Sequence, residues 1–207
     1  MSEVIAAPDT SLGGFVLRVA TWLVPAFAVW YVAAPVLVWP IALLTGAVTK
    51  LAFADIVRSV AQDGYLVVIV STLKATAATT ANPSGSVVSV EINTLLYSFG
   101  FPMLVALTLA ARQPRAWRIV LLGYAVLAPF VTWGVVAEFL KHVALDTASS
   151  VSAQSGFGPL QREVIAFAYQ FGVLIMPTVT PAVFWVLTHR GFLERFAAGM
   201  RAGAPSQ

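Results

Sequence analysis

The sequence contains no cysteine, only two histidines and few charged residues. The absence of cysteine excludes disulfides, thiolate nucleophiles and cysteine-ligated zinc or iron–sulfur centres. His142 and His189 are far apart along the chain, so we expect no metal site and no cofactor. Charged residues make up 10% of the chain and hydrophobic residues 59%, above the roughly 45 to 50% of soluble domains. A bilayer is therefore the better solvent for this chain.

Motifs of common enzymes are missing as well. No GxSxG, HExxH or Walker loop occurs, and serine, histidine and aspartate are not paired as a catalytic triad requires. We therefore assign no catalytic residue and favour a non-enzymatic role. Residues 1–14 lack the basic region of a cleaved signal peptide, so the first apolar segment is expected to remain as an anchor.

Long apolar segments predict an all-α polytopic membrane protein with about four transmembrane helices. A helix needs roughly 17 to 25 mostly apolar residues to cross some 30 Å of hydrocarbon. The stretch LLYSFGFPMLVALTLAA, from Leu95 to Ala111, contains no charged residue. Pro25 is expected to kink the first span. The predicted spans are residues 15–38, 94–111, 117–140 and 164–187.

The segment between the first two spans has a different pattern. Apolar residues recur at helical spacing over residues 41–61 with charges among them, which predicts an amphipathic interfacial helix. Residues 64–93 contain two runs rich in Val, Ile and Thr, separated by the turn cluster TTANPSGS. This pattern predicts a small extracytoplasmic β-hairpin. Because an isolated hairpin is only marginally stable, it should pack on the membrane helices or on a partner.

The arginines predict the orientation. The tight link RQPRAWR carries Arg112, Arg115 and Arg118, and short loops with such charge face the cytoplasm. The N-terminal tail (residues 1–14) and the amphipathic C-terminal tail (188–207) are then cytoplasmic, while the hairpin and the loop over 141–162 share the outer side. The formal net charge of +3 is explained by these flanking residues, so we expect no nucleic-acid partner.

Ionisable residues near the outer end of the third span form the first candidate site. Glu138, Lys141 and His142 share one helix face by their spacing. An ionisable group at membrane depth is a functional candidate. The alternative is an ion pair that ends the span at the interface, with the lysine extended toward water.

Two further polar groups are predicted to face the same outer side or a neighbouring helix. Glu91, Asn93 and Tyr97 lie where the second strand enters the second span. The alternative is that Asn93 and Thr94 are simply the helix cap and Glu91 is a solvated edge charge. Glu163 and Gln170 lie at i and i+7 on the fourth span, where a glutamine usually forms an interhelical hydrogen bond. The predicted contact or polar site comprises Glu91, Asn93, Tyr97, Glu138, Lys141, His142, Glu163 and Gln170.

Four stretches carry a resemblance to a known family. They are FAVWYVAAPVLVWP, EINTLLYSFGFPMLVALTLA, WGVVAEFLKH and QREVIAFAYQFGVLIMPTVTPAVFW. In this order they resemble the exosortase H-associated membrane proteins, which are found beside a bacterial protein-sorting transpeptidase. The resemblance implies a Gram-negative inner membrane, a periplasmic hairpin and an accessory role. The sorting enzymes themselves rely on a cysteine with arginine and histidine, so this chain is not that enzyme.

Three functional hypotheses follow. The favoured one is a multi-pass inner-membrane accessory protein that contacts the sorting transpeptidase or its substrate, with the lipid bilayer as its surroundings. The second is a membrane-embedded enzyme or lipid-handling protein that uses Glu138, His142 and Glu91 at the periplasmic interface. The third is a small transporter subunit, which the lack of an internal repeat disfavours.

Overall fold

The computed structural model describes residues 12–75 and 86–202, and these form helices around a small sheet. Three helical segments are long and apolar enough to cross a membrane by length and composition: Leu12–Ala52, Ala116–Asp146 and Pro159–Thr188. A shorter apolar helical segment covers Leu95–Ala110. Within the described residues, three of the four predicted spans thus correspond to helices of full length, and the predicted span over 94–111 corresponds to the shorter segment.

The first helix, α1 (Leu12–Ala52), continues through Pro25, Pro35 and Pro40. We expected it to end near residue 38 and a separate amphipathic helix to follow over 41–61, and that second helix is not formed. The proline-containing segment is supported from outside, because Gln62 Nε2 donates to the Pro35 carbonyl and the Tyr124 hydroxyl donates to the Leu37 carbonyl. Both bonds attach neighbouring elements to the backbone of α1 close to these prolines.

A three-stranded antiparallel sheet follows α1, in the order β1 (Val57–Asp63), β2 (Leu66–Ala75) and β3 (Ser86–Asn93). The antiparallel pairing of β2 with β3 confirms the two strands of the expected hairpin. Strand β1 occupies residues that we predicted to be helical, because pairing with β2 outweighs their helical spacing. The predicted turn cluster TTANPSGS lies almost wholly outside the described residues.

The sheet buries one face against the helices. Val67, Ile69 and Leu73 on β2 point inward, as does Ile92 on β3, whereas Glu91 is exposed. Alternate side chains of a strand point to opposite faces, so a single register buries all these positions together. Their partners in the core lie mainly on α1 and on the helical segment Ala116–Asp146: Val38, Ile41, Val135, Phe139 and Val143.

The remaining helices follow in close succession. They are α2 (Leu95–Ser98), α3 (Gly100–Ala110), α4 (Ala116–Lys141), a π-helical turn (His142–Asp146), α5 (Ser149–Gln154), α6 (Pro159–Gln170), a second π-helical turn (Phe171–Ile175), α7 (Met176–Thr188) and α8 (Arg190–Ala202). The predicted loop over 141–162 is therefore helical for most of its length. Its α5 is attached to β2, because the Gln154 amide exchanges two hydrogen bonds with the Lys74 backbone, at 3.1 and 3.2 Å.

Contacts at the two ends of the helices define their directions. At one end Arg18 Nε donates to the Ala110 carbonyl at 3.3 Å, and Phe15 packs on Trp185 with ring centroids 6.0 Å apart. The start of α1 therefore lies beside the ends of α3 and α7. We call this the arginine end, because it also carries Arg112, Arg115, Arg118 and Arg190. The opposite end, with the sheet and the end of α4, is called the sheet end.

Candidate functional site

A hydrogen bond between Tyr97 and Glu138 lies at the centre of the polar residues at the sheet end. The Tyr97 hydroxyl donates to Glu138 Oε2 at 2.7 Å, joining α2 to α4. Tyr97 is 3% exposed, and Glu138 is partly buried. A carboxylate removed from water needs such a donor, because an unpaired buried charge is costly. This bond therefore stabilises Glu138 at the place where the two helices meet.

A glycine makes room for this bond. Gly134 lies one turn before Glu138 on α4, and a methyl group there would collide with the Tyr97 ring. The close approach of ring and backbone lets the Tyr97 hydroxyl reach the carboxylate. The sequence did not identify this requirement, since a glycine inside a membrane helix has several other uses.

Lys141 pairs with a residue that the sequence did not indicate. Its ammonium group lies 2.8 Å from Asp146 Oδ2 and 4.7 Å from the centre of the Tyr169 ring. The π-helical turn explains the pairing, because its i to i+5 hydrogen bond, from the Thr147 amide to the His142 carbonyl, brings the Asp146 side chain back toward Lys141. Cation–π contact with Tyr169 ties this pair to α6.

His142 lies one turn after Glu138 and is partly exposed to solvent. Its Nδ1 lies 3.1 Å from the Glu138 carbonyl oxygen, which fixes the proton on Nδ1 because a carbonyl only accepts. The same nitrogen is 3.8 Å from Asp146 Oδ2, and 38% of the side chain is exposed. We define the sheet-end cluster as these residues together: Tyr97, Glu138, Lys141, His142, Asp146 and Tyr169.

The other predicted site residues lie outside the sheet-end cluster. Asn93 Oδ1 accepts the amide of Leu95, the first residue of α2, at 3.1 Å, whereas the N-cap residue Thr94 forms no side-chain capping bond. Glu91 is exposed on β3. Glu163 and Gln170 are exposed on α6, and within the described residues neither side chain forms a hydrogen bond or ion pair. The interhelical hydrogen bond expected of Gln170 is therefore not seen there.

The sheet-end cluster contains no set of metal ligands. Within residues 12–75 and 86–202, no group of three or more His, Asp or Glu side chains is arranged to hold a metal ion. The sheet-end cluster contains a partly buried carboxylate, Glu138, which accepts a hydrogen bond from the Tyr97 phenol. The more accessible His142 imidazole lies one helical turn further along. Such a group can exchange a proton or contact a polar partner at the edge of the membrane.

Comparison with known proteins identifies the family. A family model described as exosortase H-associated membrane protein matches residues 9–192. The chain belongs to this family. The resemblance noted in the sequence is thus confirmed, and the match includes every helix from α1 to α7 and the whole described sheet. No curated protein and no solved structure matches the chain. Membership makes this an exosortase-associated membrane protein, consistent with an accessory role.

Proposed function

We propose that the protein is an accessory component of an exosortase-type sorting system in the bacterial inner membrane. It acts by contacting a membrane enzyme of that system or the surface protein that the enzyme processes. The observation that carries this proposal is the family match over residues 9–192. The sheet-end cluster is compatible with it, because the Tyr97–Glu138 bond joins α2 to α4 and the Lys141–Tyr169 contact joins α4 to α6.

The proposed topology has four crossing segments, with both termini in the cytoplasm and the sheet in the periplasm. The short segment over residues 95–110 rises about 24 Å at 1.5 Å per residue, which is close enough to the roughly 30 Å hydrocarbon core for local thinning to accommodate it. Support for the orientation comes from the arginine end. There the left-handed backbone of Arg112 and Arg115, with φ of 49° and 63°, closes the tight basic link.

The proposed contact surface is the outer edge of β3. Within residues 12–75 and 86–202 the strand order leaves β1 and β3 as edges, and β1 lies along α1, where Val60 is next to Gly46. A free edge presents unpaired backbone groups that can bind an extended segment of another protein. The exposed Glu91 on β3 adds a charge that can select a basic partner segment.

Purification from native membranes tests the proposal. The full chain, carrying an affinity tag, is solubilised from the bacterium that produces it, and the proteins that accompany it are identified. We expect a cysteine-dependent sorting enzyme or its substrate to be enriched over a tagged polytopic control protein. We also expect that deletion of the gene impairs processing of that substrate. If processing is unchanged and neither protein is enriched, the proposal is wrong.

The second candidate is a membrane-embedded enzyme or lipid-handling protein that uses Glu138 and His142. It is favoured by the 2.7 Å bond that holds a partly buried carboxylate next to a half-exposed imidazole. The variant Glu138→Gln separates the two candidates, because glutamine keeps an acceptor for Tyr97 but cannot take up a proton. Loss of function with normal accumulation and normal partner binding would favour the chemical role.

A further inference from the structure

An apolar groove of about 560 Å³ opens on the side of the helices, and no residue of the sheet-end cluster lines it. It lies between α4 and α6, and the end of α1 closes one side. Its volume falls within the roughly 300 to 1,000 Å³ of typical ligand sites. The rim is formed by Trp133, Leu160 and Val164, whose side chains are exposed on the outer surface of the helices. The walls are formed mainly by Val48, Phe53, Val136, Leu140, Phe157 and Ile165.

Most polar groups along this groove are already engaged within the protein. The Thr132 hydroxyl donates to the Ala128 carbonyl at 3.0 Å, and Trp133 Nε1 donates to the Ala168 carbonyl at 3.1 Å. At the sheet end of the groove, Gln161 Oε1 accepts the Gly158 amide at 2.8 Å. An occupant therefore gains little from its own polar groups along the groove and gains most from hydrocarbon.

The length of the groove matches one leaflet of a bilayer. On α4 it extends from Pro129, midway along the helix, to Leu140 near the sheet end. Eleven residue steps at 1.5 Å give about 16 Å, and half of the hydrocarbon core is about 15 Å. The groove thus covers the depth of the leaflet on the sheet side.

The volume is too small for a transmembrane helix. A helix about 10 Å across with a rise of 1.5 Å fills roughly 120 Å³ per residue, so 560 Å³ corresponds to less than two turns. A single flexible hydrocarbon chain fits such a space better than the rigid side of another helix.

A cation lies at the sheet end of the groove. Arg162 Nε donates to the carbonyl of Phe157, a lining residue, at 3.2 Å, which holds the guanidinium beside the opening. In the described part of the chain no carboxylate forms an ion pair with Arg162. We propose that the groove binds one acyl chain of an anionic phospholipid from the leaflet on the sheet side, with its phosphate next to Arg162.

Photocrosslinking with a defined lipid tests this site. The full chain is reconstituted in phosphatidylcholine vesicles that contain a small fraction of phosphatidylglycerol with a diazirine on one acyl chain. After illumination, the labelled peptides are identified. We expect labelling of residues 129–140 and 157–168 to exceed that of the lipid-facing Val183 and Val186 by about tenfold. This ratio corresponds to a difference in binding free energy of about 1.4 kcal/mol.

Matched variants make the test specific. Ala168→Phe fills the groove and should reduce its labelling by about tenfold, whereas Ala182→Phe, the same change on exposed α7, should not. Leu160→Ser at the exposed rim gives a second reduction without disturbing the core. Uniform labelling of the lipid-facing helices, or equal labelling in both phenylalanine variants, overturns the site. A preference for phosphatidylglycerol over labelled phosphatidylcholine that survives Arg162→Gln overturns the headgroup assignment.

Discussion

At the residue scale, the interaction that most defines the sheet end is the bond between Tyr97 and Glu138. It connects a nearly buried phenol to a carboxylate across two helices at 2.7 Å. A hydrogen bond to a charged group contributes more than one between neutral groups, and its loss leaves the carboxylate partly desolvated without a donor. The pair therefore has a structural role whether or not Glu138 also takes part in chemistry.

Removal of the Tyr97 hydroxyl tests this role. We expect Tyr97→Phe to lower the free energy of unfolding by about 1.5 to 3 kcal/mol, since the aromatic ring stays and only the donor is lost. Chemical unfolding in detergent micelles measures the change. The control Tyr31→Phe removes a hydroxyl from an exposed ring on α1 and should change stability by less than about 0.5 kcal/mol. Equal effects of the two variants would contradict the assignment.

Gly134 offers a second test at the same scale. Gly134→Ala places a methyl group against the Tyr97 ring, and we expect it to destabilise the protein by about 1 to 3 kcal/mol. Gly46→Ala is the matched control, because a methyl group there meets Val60 at an ordinary 3.8 Å and should stabilise α1 by up to about 1 kcal/mol. If both alanine variants are more stable than the unsubstituted protein, the packing described for Tyr97 is wrong.

The sequence predicted part of the sheet-end cluster for a clear physical reason. Helical spacing placed Glu138, Lys141 and His142 on one face, and that local rule holds as far as α4 continues. Asp146 was missed because its contact with Lys141 depends on a π-helical turn, which regular spacing does not indicate. Tyr169 was missed as a partner because its position over Lys141 depends on tertiary packing of α6.

At the element scale, residues 53–63 show where local pattern and tertiary structure diverge. The helical spacing that predicted an amphipathic helix over 41–61 is correct for α1 as far as Ala52. Beyond it the chain turns at Phe53 and pairs as β1 with β2, from Val57 opposite Ser71 to Asp63 opposite Leu66. Strand formation depends strongly on neighbouring strands, and the helical spacing of this window did not indicate the pairing with β2.

The attachment of α5 to β2 can be tested at this scale. Gln154→Leu removes both hydrogen bonds to the Lys74 backbone. Each bond contributes about 1 kcal/mol to stability, so its loss should accelerate exchange of the Lys74 amide hydrogen at least several-fold. Hydrogen–deuterium exchange measures the rate. Gln170→Leu, at an exposed position on α6, serves as control and should leave that amide unchanged. Unaltered exchange in Gln154→Leu would show that α5 does not hold the strand.

At the scale of the whole molecule, the helices are organised between two chemically different ends. Arginines collect where α1 begins and α3 and α7 end, while the sheet and the sheet-end cluster occupy the opposite end. The sequence indicated this polarity because basic residues concentrate in one short link, Arg112 to Arg118. It did not indicate the groove, which three separate helices form only when packed.

The proposed topology leads to a direct prediction. Reporter fusions after Gln113 and Gln207 should read cytoplasmic, because both follow arginine-rich segments at the arginine end. A fusion after Ser84, between β2 and β3, should read periplasmic. Paired alkaline phosphatase and fluorescent protein reporters measure both states. A periplasmic reading at Gln113 would reverse the orientation, and a cytoplasmic reading at Ser84 would remove one crossing.

The central claim is that the free edge of β3 contacts a component of the exosortase-type system. Ser89 on β3 and Ser59 on β1 are both exposed and both lie opposite Val70, so they form a matched pair on the two edges of the sheet. A photoreactive amino acid is introduced at each position in cells that contain the sorting system. The account predicts crosslinks from position 89 to the sorting enzyme or its substrate, at several times the yield from position 59. Equal yields at the two positions, or no crosslink from position 89 to either protein, would contradict it.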